Sequence, residues 1–426
     1  MTAAESARAL CAFIDASPSP YHAVASAANQ LEAAGFTRLE ENEAWGATTG
    51  RRYVVRDASL VAWSLPEHAA GATPWRVIGA HTDSPNLRVK PRADLARAGA
   101  RLLAVEVYGA PLLNSWLDRD LGLSGRVGLR DGTTELLRVD KPLLRIPQLA
   151  IHLDRDIATS GLVLNPQMHM TPMWGLGEPD VRGFSSFVAD EIGAGPTDVV
   201  SWELMVHDLT PSQLAGRDDE FVSAPRLDNL CSSWAAVQAL TADPAPVSPA
   251  LVALFDHEET GSTSSRGADS PMLEAVLERI AEARGSSRAE LRQALAGSMC
   301  ASADMAHATH PNYSERHEPG HWVALNGGPV IKTNASQRYA TDARTAGAFV
   351  SACDRAAVPL QHFVSRNDMR CGSTIGPITA GRLGIATVDV GAPQLAMHAA
   401  REVMGSLDPA SYVAALAAWL RPEPAP

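Results

Sequence analysis

The chain has 426 residues, 46% of them hydrophobic and 20% charged, the profile of an ordinary globular protein too long for one simple core. A formal net charge of -12 argues against nucleic acid, which requires a basic stripe, and no apolar run reaches the ~18 residues of a membrane helix. Five scattered cysteines without a C-x-x-C pair argue against a disulfide framework or a thiolate zinc site. With an N-terminus that lacks a basic start and an apolar stretch, they predict a cytoplasmic protein.

Leu10, Phe13 and Ile14 share one helical face, and Ser17-Pro18-Ser19-Pro20 stops that helix. A second helix is expected over His22–Ala34, closed by Gly35. Short strands are expected at Arg52–Val55, Leu60–Ser64 and Trp75–Gly79, the last running into His81-Thr82-Asp83. Between about Pro91 and Pro225 strand-like segments dominate, at Leu102–Tyr108, Leu121–Arg130, Glu135–Val139 and Ser201–Leu209. From Leu227 helices and apolar strands alternate again: helix Asn229–Leu240 before strand Leu251–Phe255, helix Met272–Ala283 before strand Ser298–Ser302, helix Ala343–Ala357 before strand Leu360–Val364. A strand at Ile385–Val390 precedes the final helices. This alternation predicts an α/β fold, with a central, mostly parallel sheet flanked by helices. The β-rich stretch inside it predicts an inserted domain. Ala242–Ala250 reads as a loop and Arg421–Pro426 as a frayed tail.

Histidines and acids recur where the apolar strands end, and open α/β sheets build their sites at the carboxyl ends of strands. His81 and Asp83 follow Val77-Ile78-Gly79; His257, Glu258 and Glu259 follow Leu251–Phe255; Asp304 follows Ser298–Ser302; His398 follows Val388-Asp389-Val390 by a short loop. A metal-binding imidazole needs its other nitrogen fixed by an acceptor, which Asp83 can supply; the tripeptide reads equally as an Asx turn before Pro85. The adjacent carboxylates Glu258 and Glu259 can point apart, one to a metal and one to act as general base. Taken alone they read as a solvated acidic turn. Asp228 reads as a helix cap or as a carboxylate able to bridge two cations. His317-Glu318-Pro319-Gly320-His321 spells H-E-x-x-H, a motif that works only on a helix. Proline and glycine cost about 3 and about 1 kcal/mol in a helix interior, which argues against that reading.

The segments His81-Thr82-Asp83-Ser84-Pro85-Asn86, Pro225-Arg226-Leu227-Asp228-Asn229, Asp256-His257-Glu258-Glu259-Thr260-Gly261, Ser302-Ala303-Asp304-Met305-Ala306-His307, Gly372-Ser373-Thr374-Ile375-Gly376-Pro377 and Pro393-Gln394-Leu395-Ala396-Met397-His398 together resemble the aspartyl aminopeptidase family of dinuclear zinc metallopeptidases. The resemblance spans nearly the whole chain. It implies a catalytic domain from residues 1–92 and 224–426, with a dimerisation domain inserted at 93–223. It implies two divalent ions per subunit, zinc by family, although the donor set suits cobalt or manganese as well. Asp228 would bridge them, His81 and Asp304 would complete one site, and Glu259 and His398 the other. Glu258 would be the general acid/base and Asp83 the support of His81. His152 would reach into a neighbouring subunit's active site. Lys332, in a chain with few lysines, would read an acidic N-terminal side chain, with Tyr339 and Met397 as further substrate contacts. Peptides with a free N-terminus are the implied substrates, and dimers building a dodecamer the implied assembly. His257 departs from the Asn or Asp expected beside the base. The alternatives are a related dinuclear carboxypeptidase or deacylase using the same metal set, and an inactive peptidase-like binding scaffold, against which the intact Glu258 stands.

Overall fold

The computed structural model describes residues 1–178, 183–243 and 247–422. Parts of the expected Ala242–Ala250 loop and Arg421–Pro426 tail lie outside the described residues. The chain divides into two compact units. The first comprises Met1–Asp83, Ser212–Met397 and the chain from Glu402; the second comprises Ser84–Pro211 and His398–Arg401.

The first unit is built on a nine-stranded sheet. Its centre runs Ala250–Phe255, Arg76–His81, Met299–Ala303, Ala386–Gly391, and each of these neighbours is parallel. Antiparallel strands join on both sides: Ser59–Leu65 against Ala250–Phe255, and Val330–Thr333 against Ala386–Gly391. Side chains alternate across the sheet with period two, and the alternation sorts the core into two layers. Ile78, Val252, Ala301 and Val388 face one layer with Leu227, Trp234 and Trp419. Val77, Leu251, Ala253 and Cys300 face the other with Met272, Val276, Ile280 and Ile375. Helices Ala3–Ala16, Pro20–Ala33, Leu227–Thr241, Ala343–Ala356 and Asp408–Leu420 supply the first layer. Met272–Ala283, Arg288–Gly297 and Ile375–Leu383 supply the second. With the central strands parallel, their carboxyl ends share one edge of the sheet. A smaller five-stranded sheet completes this unit, ordered Gln213–Ala215, Phe221–Ala224, Glu402–Gly405, Pro393–Leu395, Ala306–His307.

The second unit is a six-stranded antiparallel sheet, ordered Thr134–Leu144, Leu121–Leu129, Val199–Asp208, Asn86–Arg97, Ala100–Tyr108, Met173–Leu176. Helix Gly183–Ile192 buries Phe184, Val188 and Ala189 in its core. Neither that helix nor the long strand Asn86–Arg97 is evident from sequence periodicity. The strand's burial alternates only weakly, and its second half, from Pro91, is mostly exposed. Among the described residues no helix is long and apolar enough to cross a membrane.

Candidate metal centre

His81 is the last residue of strand Arg76–His81 and is buried. Its Nδ1 lies 3.0 Å from the main-chain oxygen of Asp83. A carbonyl oxygen only accepts, so Nδ1 carries a proton and Nε2 is the nitrogen turned to the cluster. Nε2 faces three carboxylates, at 3.4 Å from Asp228 Oδ1, 3.9 Å from Asp304 Oδ1 and 3.9 Å from Glu258 Oε2. Burial works against a charged imidazole, yet the hydrogen bonds to Asp228, Asp304 and Asp83 and the charge of Glu258 hold its pKa well above the ordinary value. The pocket stabilises positive charge at this point.

Each partner arrives for a local reason. Asp304 follows strand Met299–Ala303, and its N–H donates to Val390 O of the adjacent parallel strand at 2.9 Å. Asp228 opens helix Leu227–Thr241, whose backbone leaves helical geometry at Asp228 and Asn229, joined by a cis peptide. The Asp228 N–H donates to Glu402 Oε2 at 3.0 Å, and Asn229 Nδ2 donates to Ala303 O at 2.9 Å. Glu258 and Glu259 lie on a single 3-10 turn, Glu258–Thr260, after strand Ala250–Phe255. Asp83, fully buried, holds that turn: its Oδ1 accepts the Glu258 N–H and its Oδ2 the Glu259 N–H, each at 3.1 Å. The Glu258 carboxyl is pushed up to about 8, foremost by burial and then by the charges of Asp304, Asp83 and Asp228, with His81 opposing.

Within the first unit, among the described residues, two groups have ligand atoms within 4.8 Å of one another: His81 with Asp228 and Asp304, and His81 with Glu258 and Glu259. One imidazole nitrogen among carboxylate oxygens is a donor set that fits zinc, and the orientation of His81 by Asp83 is the support such a ligand needs.

Lys332 is buried at 2% exposure, and its Nζ donates to Asp304 O at 2.8 Å and Met305 O at 3.2 Å, with Asp304 Oδ2 at 3.9 Å. Tyr339, also buried, sets its ring centroid 5.2 Å from that ammonium. Tyr339 also lines a cavity of about 250 Å3 with Arg316, Arg366, Arg370 and Glu318. Met397 is half-buried against the core of the first unit. His398 belongs to the second unit and adopts φ +68°; its Nδ1 lies 3.0 Å from Ala110 O, which puts the lone pair on Nε2. His152 is exposed in the second unit, on the 3-10 turn Ile151–Leu153. The H-E-x-x-H string is irregular; His317 Nε2 accepts the His310 N–H at 3.0 Å. Sequence reasoning missed Glu402, Asn229 and Arg266, which bear on the site only through main-chain groups or another acid. Their sole signal is burial of a polar type, which one sequence does not display.

Parallel strands delivering an imidazole and carboxylates to one edge define a metal-dependent α/β hydrolase. The sequence profile of the family described as aminopeptidase I zinc metalloprotease (M18) matches residues 13–420. A probable M18 family aminopeptidase 2 of Streptomyces coelicolor is 54% identical over 419 residues, covering 97% of each chain. A chain in the Ape4–Nbr1 complex superposes with a TM-score of 0.93 at 38% identity, covering 99% of this chain and 86% of that one. The S. cerevisiae mApe1 dodecamer gives 0.85 at 27% identity, covering 98% of this chain and 97% of that one. The chain belongs to the M18 family of zinc metallo-aminopeptidases.

Proposed function

We propose that this aminopeptidase holds two zinc ions and removes acidic residues, Asp or Glu, from the N-termini of peptides. The observation that carries the reading is the convergence of His81, Asp228, Asp304, Glu258 and Glu259 on one point. Asp228 would bridge the ions, His81 and Asp304 would complete one site, and Glu259 and His398 would complete the other. Bound there, the ions supply Lewis acidity to the attacking water and the scissile carbonyl. Glu258 takes the water's proton and hands it to the leaving amine. The Glu258 carboxyl has Asp83 beneath its main chain, so its position is set by the turn rather than by a flexible loop.

Support for the acidic preference comes from the Lys332 ammonium beside Asp304 and from the three arginines of the cavity that Tyr339 lines. Arg366 in that cavity is already forked onto Asp368, at 2.8 and 2.6 Å. Support for assembly comes from the mApe1 dodecamer and from the apolar surface of the second unit. There Ile151, Leu153, Val163, Met168 and Leu176 are exposed, apolar side chains of the kind an interface covers. His152 lies between two of them, which suits a residue delivered to a neighbouring subunit. On this reading residues 93–223 are the dimerisation domain and the rest is catalytic.

The test is hydrolysis of a panel of aminoacyl substrates by chelated protein titrated with zinc. Activity should return with two equivalents and be greatest on aspartyl and glutamyl substrates. Full activity in verified zinc-free protein, or a clear preference for leucyl substrates, contradicts the reading.

A further inference from the structure

We propose that Arg266 is a positioning residue for Glu258, acting through Asp256. The inference rests on Glu258 being the general base. Asp256 directly follows strand Ala250–Phe255 and is 1% exposed; Arg266 is 8% exposed. The guanidinium reaches Asp256, Asp57 and Tyr21. Nε donates to Asp256 Oδ2 at 2.7 Å, Nη1 to Asp57 Oδ2 at 3.2 Å and Nη2 to the Tyr21 hydroxyl at 3.0 Å. The other oxygen of Asp256 accepts the His257 N–H at 2.9 Å. Three successive N–H groups, those of His257, Glu258 and Glu259, are thus each gripped by a buried carboxylate, the first by Asp256 and the next two by Asp83.

The segment that returns to Arg266 is closed on itself. Ser59 Oγ accepts the Asp256 N–H at 2.9 Å and donates to Arg266 O at 2.7 Å. His257 Nδ1 lies 2.8 Å from Ser264 Oγ, and the Ser262 N–H donates to His257 O at 2.7 Å. A Cβ on Gly267 would stand 2.1 Å from Ser262 O, so only glycine lets the chain pass. His257 itself sits at φ +64°, the backbone bend that turns the next residue toward the metal cluster. Arg266 fixes the rear of this knot, and its planar fork meets partners that a lysine's point charge cannot meet together. Without that fork Asp256 loses the ion pair that fixes the carboxylate accepting the His257 N–H, at the start of the base-bearing turn.

The experiment compares Arg266→Met and Arg266→Lys in the full-length zinc-loaded protein, each alone and combined with Glu258→Gln, by kcat, KM and zinc content. Arg266→Met should lower kcat roughly 10- to 100-fold, the scale of a small misplacement of a reacting group, with KM and zinc unchanged. Arg266→Lys should fall between it and the parent. Added to Glu258→Gln it should change nothing further, since the group it positions is gone. The same factor lost in both backgrounds, or a loss traced to zinc, overturns the proposal. Should Arg266→Met not fold, Tyr21→Phe removes only the outer hydrogen bond and carries the same comparison, with a few-fold drop in kcat expected in the parent and none in Glu258→Gln. A fully active Glu258→Gln protein refutes the base assignment itself, whereas an impaired one that loses further activity on Arg266→Met refutes only the role of Arg266.

Discussion

Replacing Asp83 with asparagine exchanges one oxygen for an NH2 group and leaves the volume unchanged. Both Asp83 oxygens accept a main-chain N–H, from Glu258 and Glu259, each at 3.1 Å. Whichever way the amide is turned, one of those donors then faces another donor. A hydrogen bond to a charged acceptor is worth about 1.5–3 kcal/mol, and the abandoned buried N–H adds a penalty of its own. Asp83→Asn should therefore destabilise the protein by roughly 2–3 kcal/mol and loosen the turn that carries both glutamates. The carboxylate also stands 3.4 Å from His81 Nδ1, so the imidazole loses part of its support, and such supports typically set metal affinity by about 10–100-fold. Urea unfolding measures the first effect, and zinc competition against a chromophoric chelator measures the second. An Asn variant that keeps parental stability and parental zinc affinity would refute the argument that Asp83 holds both the turn and the ligand.

Glu258→Gln should retain zinc and lose about 10²–10⁴ in kcat, the size of a general-base contribution, while Glu259→Gln should lower zinc occupancy; reversed phenotypes would show the two roles exchanged. Because the Glu258 pKa is raised from 4.5 to about 8, its proton stabilises the fold, a contribution complete below about 4.5 and lost as pH rises through 8. Chelated protein should therefore melt lower at about pH 9 than at about pH 6, and Glu258→Gln should flatten that slope; an unchanged slope in the variant places the effect elsewhere. His152→Ala should impair catalysis without loss of zinc, and mixing it with Glu258→Gln should regenerate activity through hybrid dimers. No recovery after proven subunit exchange counts against action in trans. Lys332→Met should cut kcat/KM for aspartyl substrates roughly 10–150-fold and spare leucyl ones. An equal loss on both substrates with falling zinc content would make Lys332 a support of Asp304 instead.

The parts of the fold that repeat were readable from the chain. Helix Met272–Ala283 has both ends where apolar periodicity and its flanks put them, and the four central parallel strands emerge within a residue or two of their apolar runs. Helix Arg288–Gly297 escaped because its polar face outweighs three buried residues, Leu291, Ala294 and Leu295. The five-stranded sheet escaped because its strands are two to four residues long and come from three separate stretches of the chain. At the site, the acids that follow strands were legible because strand ends announce them. What Asp83 does was legible only in part: the acceptor nearest His81 is its main-chain oxygen at 3.0 Å rather than the expected carboxylate at 3.4 Å, and its grip on the 258–259 turn joins residues 175 and 176 positions apart, a relation that only the parallel register creates. The Asp256–Arg266 pair was equally hidden, since a charged pair ten residues apart usually sits on a solvated surface.

Charge balance explains why buried acids at strand ends were the informative signal. Burying a carboxylate is expensive unless a cation accompanies it. Asp83, Asp228 and Asp304 are buried around His81, with Glu258 beside them and Asp256 behind. Arg266 and Lys332 stand close by, and both are engaged. Arg266 is committed to Asp256, Asp57 and Tyr21, and Lys332 gives hydrogen bonds to two main-chain oxygens, with only its longer 3.9 Å approach reaching Asp304 Oδ2. Burial, and after it the neighbouring carboxylates, raises the pKa of Glu258 and Asp256, while for His81 the surrounding carboxylates outweigh burial. A pocket that holds protons this firmly is a pocket that binds cations. Protons and zinc compete for the same oxygens, so zinc affinity and proton release are two readings of one electrostatic fact. The sheet supplies rigid strand ends that keep the like charges from separating, and the zinc chemistry of the family is what such an enforced concentration of carboxylates is suited to hold.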